Sequence, residues 1–374
     1  MTDWPVLKRL QPFLQDKWNF ESPTDIQKNT ADLILDGSDL IAESPTGTGK
    51  TLAYVLPIVN QLDRDVKNVQ AVILAPSREL AMQIFQVVTE WIGGTELTAA
   101  SLIGGANVKK QQEKLKKKPQ VIVGTPGRIH ELIKAKKLKM HEVKTIVLDE
   151  TDQLLVPEHT ETIQSIIKTT LRDRQLLCFS ATLSEPIGKQ LLEWTNGEAK
   201  VVRVSRSKEE LSKVEHQVLV CDQRDKVKLL QKLSRLDGMQ ALVFIRDIGN
   251  LSVYAEKLNF HHVDVGILHS EAKKLERSKV IEAFQSKEFP LLLATDIAAR
   301  GLDIKDLPYV IHADLPDDKE AYTHRSGRTG RAGKEGKVLT LAAPPEEKKL
   351  RNMAKELGIE LVEMQYTRGQ LLKK

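Results

Sequence analysis

Short runs of apolar, mostly β-branched residues recur along the chain, at 39–42, 71–75, 120–123, 144–148 and 175–179. Each is too short for a helix and too uniformly apolar for a strand with one wet face. Each therefore reads as a strand buried on both sides. Stretches with helical spacing separate them, for example 78–91 and 161–171. Alternation of this kind predicts a mostly parallel sheet with helices on both faces, whose ligands sit in loops at the carboxyl ends of the strands. The alternation lapses at 205–214, which is rich in Ser, Lys and Glu and lacks an apolar run. It restarts at 216–220, 241–244, 263–268, 290–294, 309–312 and 337–341, with a helical stretch at 276–284. The pattern predicts an α/β fold in two lobes. These are residues 1–204 and 215–366, joined by a linker at 205–214 and followed by a short tail at 367–374.

Composition adds limits. A chain of 374 residues exceeds one core of ordinary size, in keeping with two lobes. No stretch approaches the ~18 consecutive apolar residues of a membrane span, and the N-terminus lacks the basic and apolar regions of a secretory signal. Two cysteines, Cys178 and Cys221, make no disulfide framework, so a reducing cytoplasmic compartment is expected. The net charge of +5 allows a polyanionic partner without requiring one. Lysines crowd at 109–118 and again at 134–139. They are solvated helix faces or a nucleic-acid footprint, and the pattern alone leaves both open.

Two segments carry recognisable chemistry. After the first apolar run comes Ser44-Pro45-Thr46-Gly47-Thr48-Gly49-Lys50-Thr51, followed by a helical stretch. A glycine-bearing loop between strand and helix turns backbone N–H groups and a helix N-terminus toward phosphate. Lys50 is then expected to reach the β- and γ-phosphates of a nucleotide and the Thr51 hydroxyl to bind Mg²⁺. Ser44 stands where the general pattern has Gly. The run at 145–148 ends in Asp149-Glu150-Thr151-Asp152. Asp149 is placed to hold Mg²⁺, and Glu150 to polarise an attacking water.

With these in order, the chain resembles the DEAD-box ATP-dependent RNA helicases from about Trp4 to about Ala343. Phe20-x-x-Pro23-Thr24-x-Ile26-Gln27 resembles the family's adenine-reading segment, with Gln27 as the hydrogen-bonding reader and Trp4 as a candidate adenine stack. Pro76-Ser77-Arg78-Glu79-Leu80-Ala81, Gly104-Gly105 and Thr125-Pro126-Gly127-Arg128 resemble its RNA-backbone elements, which puts Arg78, Gly105, Thr125 and Arg128 on RNA. Asp149-Glu150-Thr151-Asp152 matches the name motif with Thr151 in place of Ala. Ser180-Ala181-Thr182 resembles the element that couples hydrolysis to strand opening through Asp152. In the second lobe, Thr295-Asp296 and Arg300-Gly301-x-Asp303 resemble a motif touching RNA and, through Asp303, the ribose. His324-Arg325-Ser326-Gly327-Arg328-Thr329-Gly330-Arg331 resembles the arginine-finger segment, with Arg328 and Arg331 on the γ-phosphate.

The resemblance implies two tandem RecA-like lobes, ATP and Mg²⁺ as cofactors, RNA as a sequence-nonspecific partner, and a monomer. Its function is local unwinding or remodelling of RNA and RNA–protein complexes, with ribosomal RNA in pre-ribosomal particles as the leading target. The catalytic cleft would lie between the lobes. An ATP-gated RNA clamp or annealing chaperone with little unwinding is the alternative, and a DNA helicase of the same superfamily a second. This chain departs from the pattern at Val243-Phe244-Ile245-Arg246-Asp247, which lacks the usual Thr, at His269-Ser270, at Lys274 and after Leu155.

Overall fold

The computed structural model describes residues 4–195, 198–205, 214–269, 274–299, 307–330 and 335–374. The chain divides into two compact units, Met1–Ser205 and Arg206–Lys374. Most of the expected linker at 205–214 lies outside the described residues.

In the first unit a seven-stranded sheet is built from β1 (Leu40–Glu43), β2 (Ala71–Leu74), β3 (Ala99–Leu102), β4 (Val121–Gly124), β5 (Thr145–Asp149), β6 (Gln175–Ser180) and β7 (Lys200–Arg203). Every pairing is parallel, and the order is β3-β4-β2-β5-β6-β1-β7. The helices are α1 (Pro12–Lys17), α2 (Asp25–Leu35), α3 (Lys50–Gln61), α4 (Arg78–Ile92), α5 (Val108–Lys116), α6 (Pro126–Lys134), α7 (Thr151–Leu154), α8 (Pro157–Ile167) and α9 (Glu185–Trp194). Strands β2, β4, β5 and β6 are buried at every position, because helices cover both faces. The period of two along β2 divides the core. Ala71 and Ile73 pack with Ile26, Ile58 and Ile84 of α2, α3 and α4. Val72 and Leu74 pack with Leu132, Ile166 and Leu191 of α6, α8 and α9.

The second unit carries β8 (Val214–Val220), β9 (Ala241–Phe244), β10 (Val265–Leu268), β11 (Leu291–Ala294), β12 (Tyr309–His312), β13 (Gly336–Ala342), β14 (Leu361–Thr367) and β15 (Gln370–Lys373). Their order is β10-β11-β9-β12-β13-β8-β14-β15. All pairs are parallel except β14–β15. Residues 367–374, expected as a tail, therefore belong to the sheet. Arg368 and Gly369 both have positive φ, 50° and 81°, the conformation of a tight hairpin turn. An Arg at its first position hides a signal that Asn-Gly would have announced.

Beneath β12 and β13 lies a buried polar cluster. His216 Nδ1 and the Tyr322 hydroxyl are 2.8 Å apart, and His312 Nδ1 is 3.1 Å from Thr340 Oγ1. The fully buried Lys226 donates to the Ala313 carbonyl at 2.8 Å and to Glu346 at 3.0 Å. Burial, and then the charges of Arg325 and His216, hold the His312 imidazole well below its ordinary pKa. The unfolded chain takes up that proton first. The stability tied to a neutral His312 is thus complete above about pH 6.5 and declines as pH falls below it. Urea unfolding at pH 7.5 and 5.5 should show His312→Gln losing about 1 kcal/mol less than the parent across that interval. An unchanged slope would remove His312 as the titrating group.

Candidate active site

The loop between β1 and α3 is held open by its own side chains. Gly47 and Gly49 adopt φ of 82° and 86°, where a side chain would be strained. A Cβ at Gly49 would also stand 2.8 Å from Gln27 Nε2. Ser44 is fully buried. Its hydroxyl lies 2.7 Å from Thr48 Oγ1, which itself donates to the Pro45 carbonyl at 2.8 Å. Ser in place of Gly thus staples the two ends of the loop. Lys50 opens α3, and its ammonium donates to the Ser44 and Pro45 carbonyls at 2.6 and 3.0 Å. A cation and a helix N-terminus therefore share the loop, an arrangement suited to phosphate.

Asp149 ends β5, two strands from β1. Its Oδ2 accepts from the Tyr54 hydroxyl at 2.8 Å and its Oδ1 from the Glu150 N–H at 2.9 Å. Burial raises its pKa, opposed by the charge of Lys50 and by the Tyr54 bond. Tyr54 was not among the expected site residues. It lies three positions after Thr51 on α3, hence on the same helix face. Glu150 is buried with φ of 50°. The donor set at this point is one buried carboxylate, Asp149, and the nearby hydroxyl of Thr51 on the first turn of α3. Among the described residues no group of three or more His, Cys, Asp or Glu could hold a metal ion. One carboxylate and one hydroxyl are a donor set that fits Mg²⁺, which takes one or two protein oxygens beside substrate phosphates and water.

Thr151 is fully buried, and its hydroxyl donates toward the Leu148 and Phe179 carbonyls at 2.9 and 3.0 Å. It ties α7 to both β5 and β6. One step on, the Ser180 hydroxyl bonds the Asp152 carboxylate, the Asp152 N–H reaches back to Ser180 Oγ at 3.3 Å, and the Ser180 carbonyl accepts from the Ser44 N–H at 3.0 Å. Ser180 is thus bonded both to the phosphate loop and to Asp152. Thr182 follows, its hydroxyl buried without a partner among the described residues.

Gln27 is buried and engaged within the fold. Its Oε1 accepts from the Thr24 N–H at 3.0 Å, capping α2, and its Nε2 donates to the Gly49 carbonyl at 3.3 Å. Each amide atom retains capacity for one further bond. Trp4, Trp18 and Phe20 form a ladder with successive centroids 5.0 Å apart. Trp4 is 6% exposed and packs in the core, whereas Phe20 is 47% exposed. The ladder's open end is Phe20, not Trp4.

A second cluster forms at the carboxyl ends of β2, β3 and β4. The Arg78 guanidinium lies against Gly104 and Gly105, so close that a Cβ on Gly105 would stand 2.3 Å from Nη1. The Thr125 hydroxyl is 3.4 Å from the Gly104 N–H. Arg128 donates to the Ala106 carbonyl at 3.2 Å and pairs with Glu131 at 2.8 Å. Arg78, Gly105, Thr125 and Arg128 are brought together at this corner.

In the second unit, Thr295 is buried at the end of β11. Arg325 grips Asp296 through two bonds of 2.6 Å and donates to the Asp314 carbonyl at 2.7 Å. That anchors helix Lys319–Ser326 beside Thr295, with Arg328 buried just beyond it. Asp303 and Arg331 lie outside the described residues, as do Arg300, Gly301 and Ser270.

Residues 24–189 match the family model for the DEAD/DEAH box helicase, and residues 225–333 that for the helicase conserved C-terminal domain. The chain is 68% identical over 371 residues to the probable ATP-dependent RNA helicase YfmL of Bacillus subtilis, covering 98% of each chain. The chain belongs to the DEAD-box family of ATP-dependent RNA helicases. This DEAD-box chain is also 48% identical over 370 residues to the DEAD-box ATP-dependent RNA helicase CshC of Bacillus cereus, covering 98% of this chain and 95% of that one. Among solved structures, S. cerevisiae Dbp5 bound to RNA and ADP BeF3 matches with a TM-score of 0.86 at 28% identity, over 96% of this chain and 95% of that chain. Its two sheets are those of tandem RecA-like domains.

In this DEAD-box helicase the Thr151 hydroxyl has a defined structural load. Thr151→Val keeps the volume and removes only the bond, so it should lower stability by about 1 kcal/mol. Urea melts that coincide with the parent would show that the hydroxyl carries none of the link between β5 and β6.

Proposed function

We propose that the two units form one split ATPase whose turnover depends on RNA. The observation carrying this reading is two separate clusters of cationic side chains and backbone N–H groups at the carboxyl ends of one sheet, suited to two polyanions. Neighbouring strands lie about 4.8 Å apart. The Arg78–Gly105–Thr125–Arg128 corner, three to five strands from β1, is therefore roughly 14–24 Å from the phosphate loop. A single triphosphate held by Lys50 does not need that corner; a nucleic-acid strand does. Its groups suit phosphates and carry no base readout.

In this mechanism the phosphates of ATP take the place of the Ser44 and Pro45 carbonyls on the Lys50 ammonium. The Thr46–Gly49 backbone and the first turn of α3 supply N–H donors, while Phe20 and Gln27 receive the adenine. Thr51 and Asp149 would hold Mg²⁺, which would supply charge neutralisation on the triphosphate. Tyr54 keeps the Asp149 carboxylate aimed, and Glu150 accepts a proton-bearing bond from the attacking water. Arg328 and Arg331 bring positive charge to the transferred phosphoryl group, worth ~10³–10⁵ in rate, or ~4–7 kcal/mol. Asp303 contacts the ribose and Thr295 the RNA. Asp152, Ser180 and Thr182 relay the state of the phosphate loop. Because ATP and RNA favour the same closed arrangement, each tightens the other's binding. The RNA is held by its backbone as a single strand or short duplex. We take ribosomal RNA in cytoplasmic pre-ribosomal particles, acted on by a monomer, as the target. Support comes from the general task of small bacterial members of this family and the absence of base readout at the Arg78–Arg128 corner; crosslinking that recovers no ribosomal RNA would discard it.

ATPase assays with and without RNA test the split site. Glu150→Gln should retain ATP and RNA binding while turnover falls at least ~10²-fold; brisk turnover would release Glu150 from its role. Arg331→Ala should keep nucleotide affinity in the absence of RNA and lose RNA-stimulated hydrolysis. An unchanged kcat would sink the finger assignment.

A further inference from the structure

The proposed mechanism leaves two lysine-rich segments unused. Residues 109–118 contain six lysines and one acid, and residues 134–139 contain four lysines and none. Their combined charge exceeds the whole chain's net +5, so the remainder of the chain is net acidic. All ten lysines are exposed. With the described residues they make one ion pair, Lys116 with Glu113 at 2.7 Å.

Lys114, Lys116 and Lys134, in the last turns of their helices, suit the helix dipole, but folding alone does not favour four of the other placements. Lys109 and Lys110 occupy the first turn of α5, where no acid is present. There they oppose the positive end of the helix dipole. Lys118 and Lys136 follow the ends of α5 and α6 with φ of 53° and 55°, a conformation in which helices prefer Gly or Asn. At these four positions a neutral residue would stabilise the fold more.

The location is also informative. α5 starts three residues after Gly105, and α6 starts directly after Thr125. Both pack on one face of the sheet, through Val108 and Leu115 of α5 and Ile129, Leu132 and Ile133 of α6. Helices between parallel neighbours run back toward the amino ends of the strands. The lysines therefore lead away from the Arg78–Arg128 corner over the length of α5, about 14 Å at 1.5 Å per residue. Lys110, Lys114 and Lys117, at i, i+4 and i+7, share the solvent face opposite Val108, Gln111 and Leu115.

We propose that α5 and the turn after α6 form a second, sequence-nonspecific RNA surface. It holds the RNA flanking the segment bound at the Arg78–Arg128 corner, and so rests on the assignment of that corner to RNA. The surface acts by phosphate neutralisation and counterion release. It lengthens the bound site without adding base readout, and favours substrates that extend beyond the core track.

The test uses the full chain with Lys110→Gln, Lys114→Gln and Lys117→Gln combined, in RNA-stimulated ATPase and RNA-binding assays. Probes are a short RNA of about six nucleotides, within the reach of one core track, and one of about twenty-five. The expected result is unchanged kcat and KM for the short RNA, with roughly tenfold weaker binding of the long one. The slope of log K against log salt should fall by about 2 on the long RNA, at ~0.7 for each phosphate no longer neutralised. Lys134→Gln with Lys137→Gln provides an independent variant with the same expected length dependence. Equal weakening on both lengths, or none on the long RNA, overturns the surface while leaving the corner intact. Wild-type ATPase that neither RNA stimulates overturns the corner itself, and this surface with it.

Discussion

A carboxylate removed from water has to be stabilised by the protein around it, and the first unit is organised about one such group. Asp149 lies at the end of a strand buried on both faces. The Tyr54 hydroxyl, the Glu150 N–H and the charge of Lys50 surround it. None of these groups comes from β5 itself ahead of Asp149. Tyr54 and Lys50 belong to α3 and so arrive only if β1 and β5 stand in their observed order. The sheet topology is thus coupled to the chemistry. A misplaced β1 would leave a buried charge uncompensated, which costs more than breaking an exposed ion pair.

The same edge shows why some of the site was legible in the sequence and some was not. Gly47, Gly49, Lys50 and Asp149 stand out because their roles are local. The glycines need positive φ, Lys50 follows them at the start of a helix, and Asp149 closes an apolar strand. Ser44 looked like a departure because its partner, Thr48, is recognisable only once the loop is closed. Tyr54 was hidden because a tyrosine within an apolar helix is ordinarily core. Its polar tip matters only through contact with a residue 95 positions away. Strands β3 and β7 escaped notice for a different reason. They are edge strands, short and partly polar, and carry too few apolar positions to rise above loop composition. Gln27 is read from its motif, but its engagement with Thr24 and Gly49 depends on how α2 meets the phosphate loop.

In the second unit Arg325 and Arg328 are both buried, and Arg325 has a supporting task. Arg325 is spent on Asp296 and the Asp314 carbonyl and lies over the Phe244 ring at 5.2 Å. It fixes the helix that presents Arg328. The helix is further tied to the sheet through Tyr322 and His216. Motif composition alone gives three arginines, Arg325, Arg328 and Arg331, and no means of sorting them. Burial and partner geometry do the sorting for Arg325.

The hairpin of β14 and β15 has a practical side. A long parallel sheet leaves an open row of backbone donors and acceptors wherever it stops. Here the outermost strand is only Gln370–Lys373. Lys373 is paired to Glu215 at 2.9 Å, and the Lys374 N–H is bonded to the Glu363 carbonyl at 2.9 Å. Residues joined directly to Lys374 would begin at the border of the sheet, not in free solvent. An affinity tag or fluorescent fusion at that position therefore calls for a flexible polar spacer, so that it does not compete for the strand's register.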